Sequence, residues 1–231
     1  VYRAVIGRLQ KEIVAARIEA RQATPVPATP PQSPPPVRER SPLERESVQL
    51  LRTLGLILET ATANTIPERI VAAVIELLKV DMAGILRVQD ANYIDFTVVH
   101  DSVMNRDVPG LALNLDQQPT LANAIDQRAQ RALLPDRDDD ELQDVYTRLD
   151  IDQVGPVYFQ PLTSGGDLIA VLMLAHPYSG RVLYSAEEDL LRGIAVIAGG
   201  LLALSYTAEE ARIMAEERAI QAMLRGVPTS E

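Results

Sequence analysis

Two histidines, one dense run of carboxylates and a few aromatic side chains are the residues of this chain best equipped for chemistry. His100 closes "NYIDFTVVH" (92–100). As a strand, that stretch puts Ile94, Phe96, Val98 and His100 on one face. A neutral imidazole there could meet a ligand in a cavity, or could bond a backbone carbonyl at the strand end. His176 precedes Pro177 at a second strand exit and carries the same two readings. Neither has a second histidine four residues on or a carboxylate at ligand spacing, so no protein metal site is expected. "DRDDDELQD" (136–144) lacks the glycine and the spaced ligands of a calcium loop. It reads as a helix start, with acids near the positive end of the dipole. "TSGGD" (163–167) is followed by neither lysine nor helix, which makes it a hairpin turn rather than a phosphate loop. With two histidines and no cysteine, no nucleophile–base set is visible and no catalytic function is expected. Phe96, Val98, His100, Tyr146, Tyr158 and Phe159 remain as candidate ligand contacts. They suit an apolar pocket between a sheet and mid-chain helices, and equally a plain core.

Composition narrows the function classes. The chain has 231 residues, 47% of them hydrophobic, and a formal charge of −10. An acidic chain lacks the clustered Lys and Arg that release phosphate counterions, so no nucleic-acid partner is expected. The absence of cysteine excludes disulfides, zinc–thiolate sites and thioether-linked chromophores, and fits a reducing cytoplasm. The longest apolar run, "GIAVIAGGLLAL" (193–204), is shorter than a membrane span, so no membrane contact is expected. The chain opens at Val1 with no signal-peptide pattern, and is expected to be part of something longer.

Periodicity supplies the elements that must position these residues. Residues 1–23 carry one amphipathic stripe, Tyr2, Ile6, Leu9, Ile13 and Ala16, as in the end of an upstream connector helix. Segment 24–42 has eight prolines in nineteen residues and reads as an extended linker. Residues 43–64 predict a helix with a wide apolar face, and Thr65 with Glu68 a capping box for the next one. A hairpin follows at 82–89 and 92–100, then an irregular stretch over 101–118. A short helix (120–130), a short strand (131–135) and a helix (138–151), with Asp138 and Glu141 as cap and partner, come next. A second hairpin, 155–163 and 167–176, is apolar at almost every position, so both its faces must be covered. Ser185 and Glu188 form another capping box, opening a helix with no proline until Pro228. Its residues Leu190, Ile194, Ile197, Leu201, Leu204, Ala208, Ala211 and Ala215 keep a four–three alternation, as in a coiled-coil seam. A helix leaving the domain near residue 206 is expected. Leu50, Leu54 and Ile57, with Leu201, Leu204, Ala208, Ala211 and Ala215, are the expected homodimer contacts.

This order predicts an α+β fold: a mostly antiparallel sheet of five to six strands, covered by helices on both faces, with long terminal helices. At this point the chain resembles a known family. "PVYFQPLTSGGDLIAVLMLAH", then "YSAEEDLLRGIAVIAGGLLAL", is similar to the closing half of a GAF domain. Pro161-Leu162 match its strand end and Ser185 to Leu191 its acidic helix start, while Ala170 stands where the family usually has glycine. The helices at 44–79 and "DMAGILRV" resemble the opening half. The resemblance implies a GAF-like sensor domain over 43–205 and a connector helix over 206–231. It implies a homodimer that binds a small molecule or relays a signal through paired terminal helices. A ligand-free dimerisation domain and a haem-type sensor using His100 or His176 are the alternatives. No covalent bilin is expected without cysteine, and the cofactor, if any, is open.

Overall fold

The computed structural model describes residues 42–59, 62–109 and 112–225. The amphipathic segment 1–23 and residues 24–41 of the proline-rich segment lie outside the described residues. Helix α1 (Pro42–Leu58) leads through a 3-10 turn, Ala63–Thr65, into α2 (Ile66–Leu78). Pro67 suits the first turn of α2, where its missing N–H leaves nothing unpaired. The expected Thr65–Glu68 capping box does not form. The Thr65 hydroxyl oxygen instead accepts the Thr62 N–H at 3.0 Å, because the 3-10 turn moves the cap upstream.

Seven strands follow: β1 (Met82–Val88), β2 (Tyr93–Asp101), β3 (Arg106–Asp107), β4 (Ala112–Asn114), β5 (Arg131–Leu133), β6 (Val157–Ser164) and β7 (Asp167–Ala175). They form one sheet in the order β3-β2-β1-β7-β6-β5, with β4 also on β2. All pairings are antiparallel. The expected α+β architecture is present. β3 and β4 add two strands inside 101–118, because two or three residues are too few to carry a period. Helices α3 (Pro119–Gln127) and α4 (Asp139–Arg148) lie between β4 and β6, and α5 (Ser185–Arg225) closes the described chain.

The apolar hairpin β6–β7 is covered on both faces. Tyr158, Leu162, Ala170, Leu172 and Leu174 point into a cluster with α1, α2 and α5. Val157, Phe159, Val171, Met173 and Ala175 point into a second cluster with α3 and α4. Gly165 (φ 61°) and Gly166 (φ 95°) form its two-residue turn, where two consecutive positive φ angles favour glycine.

Strand β2 departs from simple alternation. Ile85 pairs with Val98 but Leu86 with Phe96, leaving Thr97 as an extra residue. Such a bulge moves every later side chain to the other face. Ile94 and Phe96 therefore belong to the α3–α4 side, whereas Val98 packs on the terminal-helix side. The single face expected for Ile94, Phe96, Val98 and His100 is split.

The other caps also differ from their sequence signatures. Glu141 does not reach back to Asp138. Its carboxylate accepts the backbone N–H and the hydroxyl of Thr120, both at 2.9 Å, and so caps the first turn of α3. At α5 the cap lies one residue earlier than Ser185. Glu187 accepts the Tyr184 N–H at 2.9 Å, and the N–H groups of Glu187 and Glu188 both donate to the Tyr184 carbonyl.

Within α5, Ser185–Gln221 is long and apolar enough to cross a membrane by length and composition, although no unbroken apolar run of that length exists. Its inner face is used by the fold. Leu190, Leu191, Ile194, Ala195, Ala198 and Leu202 are buried against the sheet side.

Candidate functional site

The six expected ligand contacts do not line one pocket. Phe96, Tyr146 and Phe159 sit together in the α3–α4 cluster. Tyr158 and Val98 lie on the opposite side of the sheet, as period-two alternation and the β2 bulge require. The Tyr146 hydroxyl donates to the Gly155 carbonyl at 3.0 Å, and burial pushes its pKa well above the ordinary tyrosine value. The Tyr158 oxygen accepts the Leu183 N–H at 2.8 Å, tying β6 to the segment that opens α5. His100 is half-buried at the sheet edge, its Nδ1 2.8 Å from Asp107 Oδ1 on β3. The expected backbone-carbonyl partner is replaced by this carboxylate.

The densest polar site was not legible in the sequence. It lies at the end of the sheet where β1 begins and β2 and β7 finish. Asp81 Oδ2 accepts the N–H groups of Tyr178 (3.0 Å) and Ser179 (2.7 Å) and the Ser179 hydroxyl (2.9 Å). Asp101 is fully buried. Its Oδ1 accepts the N–H groups of Val103 and Met104, at 3.0 and 2.9 Å, and its Oδ2 accepts the Tyr178 hydroxyl at 2.6 Å. Burial and the Asp101 carboxylate push the Tyr178 hydroxyl up to about 12. It therefore stays a donor at neutral pH. The only signal for this hub is an acid at one end of each apolar strand, just before β1 in "VDMAGIL" and as the last residue of β2 in "VVHDS".

His176 closes the hub. Its Nδ1 lies 3.3 Å from Ser179 Oγ. The Ser179 proton goes to the Asp81 carboxylate, the charged acceptor, so the Ser179 oxygen accepts from His176 Nδ1–H. Asp81, Ser179 and His176 thus form a clasp with the wrong polarity for an activated serine. Nε2 is buried without a partner among the described residues, and the ring meets Tyr158 edge-on at 6.5 Å between centroids. Desolvation, then the Arg181 charge, lowers the His176 pKa, opposed by Asp81 and Glu187. A base whose folded pKa lies below its unfolded value of about 6.5 leaves the unfolded state binding more protons below that pH. Stability is therefore expected to fall as pH drops below about 6.5. In His176→Gln this part of the slope should vanish, with His100 common to both proteins. Denaturation midpoints between pH 7.5 and 5.5 that run parallel in the two proteins would refute the assignment.

The cleft beside this hub has a volume of about 360 Å³ and is lined by Met104, Arg106, Asp150, Ile151, Asp152, Gln153 and Tyr178. Among the described residues, no group of three or more histidine, aspartate or glutamate side chains could hold a metal ion.

The terminal helices sort the expected dimer residues into two groups. Ile57 is fully buried in the core, so the apolar face of α1 uses it internally. Leu50, packed against Gly193, and Leu54 and Leu201 are half-buried. Leu204 is 68% exposed, and Ala208, Ala211 and Ala215 are exposed. A second exposed stripe, Val48, Leu51 and Leu58, lies on α1, and Val196 stands 74% exposed on α5. At the far end of the sheet, the Arg87 guanidinium stacks 4.5 Å from the Tyr206 ring centre, the last aromatic contact along α5. Beyond it, residues 207–225 continue as helix, exposed at almost every described position.

No protein-family model and no curated protein sequence matches the chain. Solved structures do. The GAF domain of a phosphoenolpyruvate-protein phosphotransferase (ptsP) from Coxiella burnetii is 11% identical, with a TM-score of 0.57 over 74% of this chain and 99% of that one. The chromophore-binding domain of Stigmatella aurantiaca bacteriophytochrome is 15% identical, with a TM-score of 0.56 over 74% of this chain. The match spans 64% of that bacteriophytochrome chain. A phycoerythrobilin-bound GAF domain from a cyanobacterial phytochrome is 15% identical, with a TM-score of 0.55 over 71% of this chain and 97% of that one. At these identities the likeness is one of backbone architecture, and the fold of the described residues is GAF-like.

Proposed function

We propose that this chain is the regulatory, sensory GAF-like module of a cytoplasmic signal-transduction protein, working as a homodimer through its terminal helices. The observation that carries this reading is the concentration of exposed apolar side chains on α1 and α5. Val48, Leu51 and Leu58 on α1, and Val196, Leu204, Met214, Ile220 and Met223 on α5, face water in the single chain. An apolar helix surface of this kind marks a contact site. Support from similarity is coarser: the neighbours named above include a chromophore-binding domain and a bilin-bound one. Covalent bilin attachment through cysteine is unavailable to this chain, which has none.

Removing residues 206–231 tests the dimer. The intact chain is expected to sediment as a dimer, and the shortened one to associate at least tenfold more weakly. Light scattering that finds the same dimer in both would sink the part of the seam formed by Ala208, Ala211 and Ala215. A second reading, a ligand-free dimerisation domain, draws on the complete burial of Tyr146 and Phe159, which serve as core on the α3–α4 side. A thermal-shift screen across metabolites with no response would favour that reading.

A further inference from the structure

We propose that the cleft beside Asp101 binds a small zwitterion, an α-amino acid with an apolar side chain. Three features of its walls point to that chemistry. The first is a cation with its donors unspent. Arg106 Nε lies 3.8 Å from Asp101 Oδ2, too far for a hydrogen bond, and the guanidinium has no acceptor in reach among the described residues. Asp101 holds the Val103 and Met104 N–H groups and the Tyr178 hydroxyl, and at 3.8 Å it does not take those donors. It attracts Arg106 by charge alone and leaves the planar fork open to a carboxylate, the partner that fork matches in a bidentate way.

The second feature is an opposite charge on the same cleft. Asp150 and Asp152 line it, both are exposed, and neither carboxylate has a partner among the described residues. The backbone that carries them is fixed: Asp150 sits at φ 55°, and the Ile151 N–H donates to the Tyr146 carbonyl at 3.0 Å. A simple anion would answer Arg106 and face two carboxylates, whereas a simple amine would do the reverse. A molecule with a carboxylate and an ammonium answers both. The third feature is the apolar remainder of the lining, Met104, Ile151 and the Tyr178 ring, which offers a surface to an apolar side chain. The volume of about 360 Å³ is on the scale of small-metabolite sites.

This deepens the sensor reading by naming a ligand class, yet it is separable from it, because the cleft is built from elements remote from residues 206–231. The experiment titrates the full chain with L-leucine, 4-methylpentanoate (no amine) and 3-methylbutylamine (no carboxylate) by calorimetry and heteronuclear NMR. Leucine is expected to bind at least tenfold tighter than either analogue. Arg106→Gln should weaken leucine at least tenfold, as should the double variant Asp150→Asn, Asp152→Asn. Both keep their folds because all three side chains are surface groups. The chain shortened at residue 205 should bind leucine as the full chain does, even if it no longer dimerises. Absence of binding at millimolar leucine, valine, methionine and phenylalanine overturns the proposal. So does equal binding of an analogue, or unchanged affinity in Arg106→Gln.

Discussion

Asp81→Ala is expected to lower the unfolding free energy by about 3–4 kcal/mol, from three bonds to one charged oxygen at roughly 1.5–3 kcal/mol each, reduced where water can replace them. Asp81 is 8% exposed, and its carboxylate serves Tyr178 and Ser179, 97 and 98 residues away. Its removal leaves two N–H groups and a hydroxyl without an acceptor, and releases the segment that leads from β7 into α5. Asp81→Asn keeps an acceptor oxygen in place and should cost less, about 1–2 kcal/mol, the difference between charged and neutral hydrogen bonds. Urea denaturation of the three proteins checks the ranking. An Asp81→Ala midpoint equal to that of the parent would show that the hub carries no stability.

The adjacent glycines of α5 should respond to alanine with opposite signs. A methyl at Gly199 would stand 2.3 Å from the Thr163 carbonyl oxygen and 2.9 Å from its nitrogen. Both are backbone atoms of β6 and cannot swing aside, so α5 must lift off the sheet. Overpacking of this kind costs about 1–3 kcal/mol, and outweighs the roughly 1 kcal/mol that alanine offers a helix over glycine. A methyl at Gly200 meets nothing within 4 Å. Gly200→Ala should therefore stabilise the domain by about 0.5–1 kcal/mol. Thermal midpoints that move the same way for both variants would refute the close seating of α5 on Thr163.

How much of this was legible in sequence depended on whether the deciding contact was local. The β6–β7 hairpin was readable because its unbroken apolar run and Gly165-Gly166 turn report directly on burial and φ. The long C-terminal helix was readable for the same kind of reason, a sustained period and no proline. The β2 bulge was not. In "YIDFTVVH" either phase places apolar residues inward, so the pattern is silent about an extra residue, and plain alternation sets Val98 and His100 beside Phe96. The caps show a related limit. Thr65 and Glu68, Asp138 and Glu141, and Ser185 and Glu188 all carry the right spacing, yet Glu141 serves another helix and the α5 cap falls on Tyr184. The hub of Asp81 and Asp101 depends on Tyr178 and Ser179, whose distance along the chain hides the pairing altogether. Ile57 illustrates a last ambiguity: a wide apolar helix face does not say which of its edges meets the core.

Helix α5 is one unbroken rod of 41 residues, or about 60 Å at 1.5 Å per residue. Its close seat on Thr163, at Gly199, is not at its middle. About 21 Å of rod lies before that point and about 39 Å after it, from the same rise. The domain holds the rod past that seat, through the buried Leu202 and as far as the Arg87–Tyr206 stack, so that about 28 Å of it, from Tyr206 to Arg225, stands clear. Because the helix has no break at that boundary, a tilt of about 5° at the last contact displaces its far end by about 2.5 Å, on the same rise.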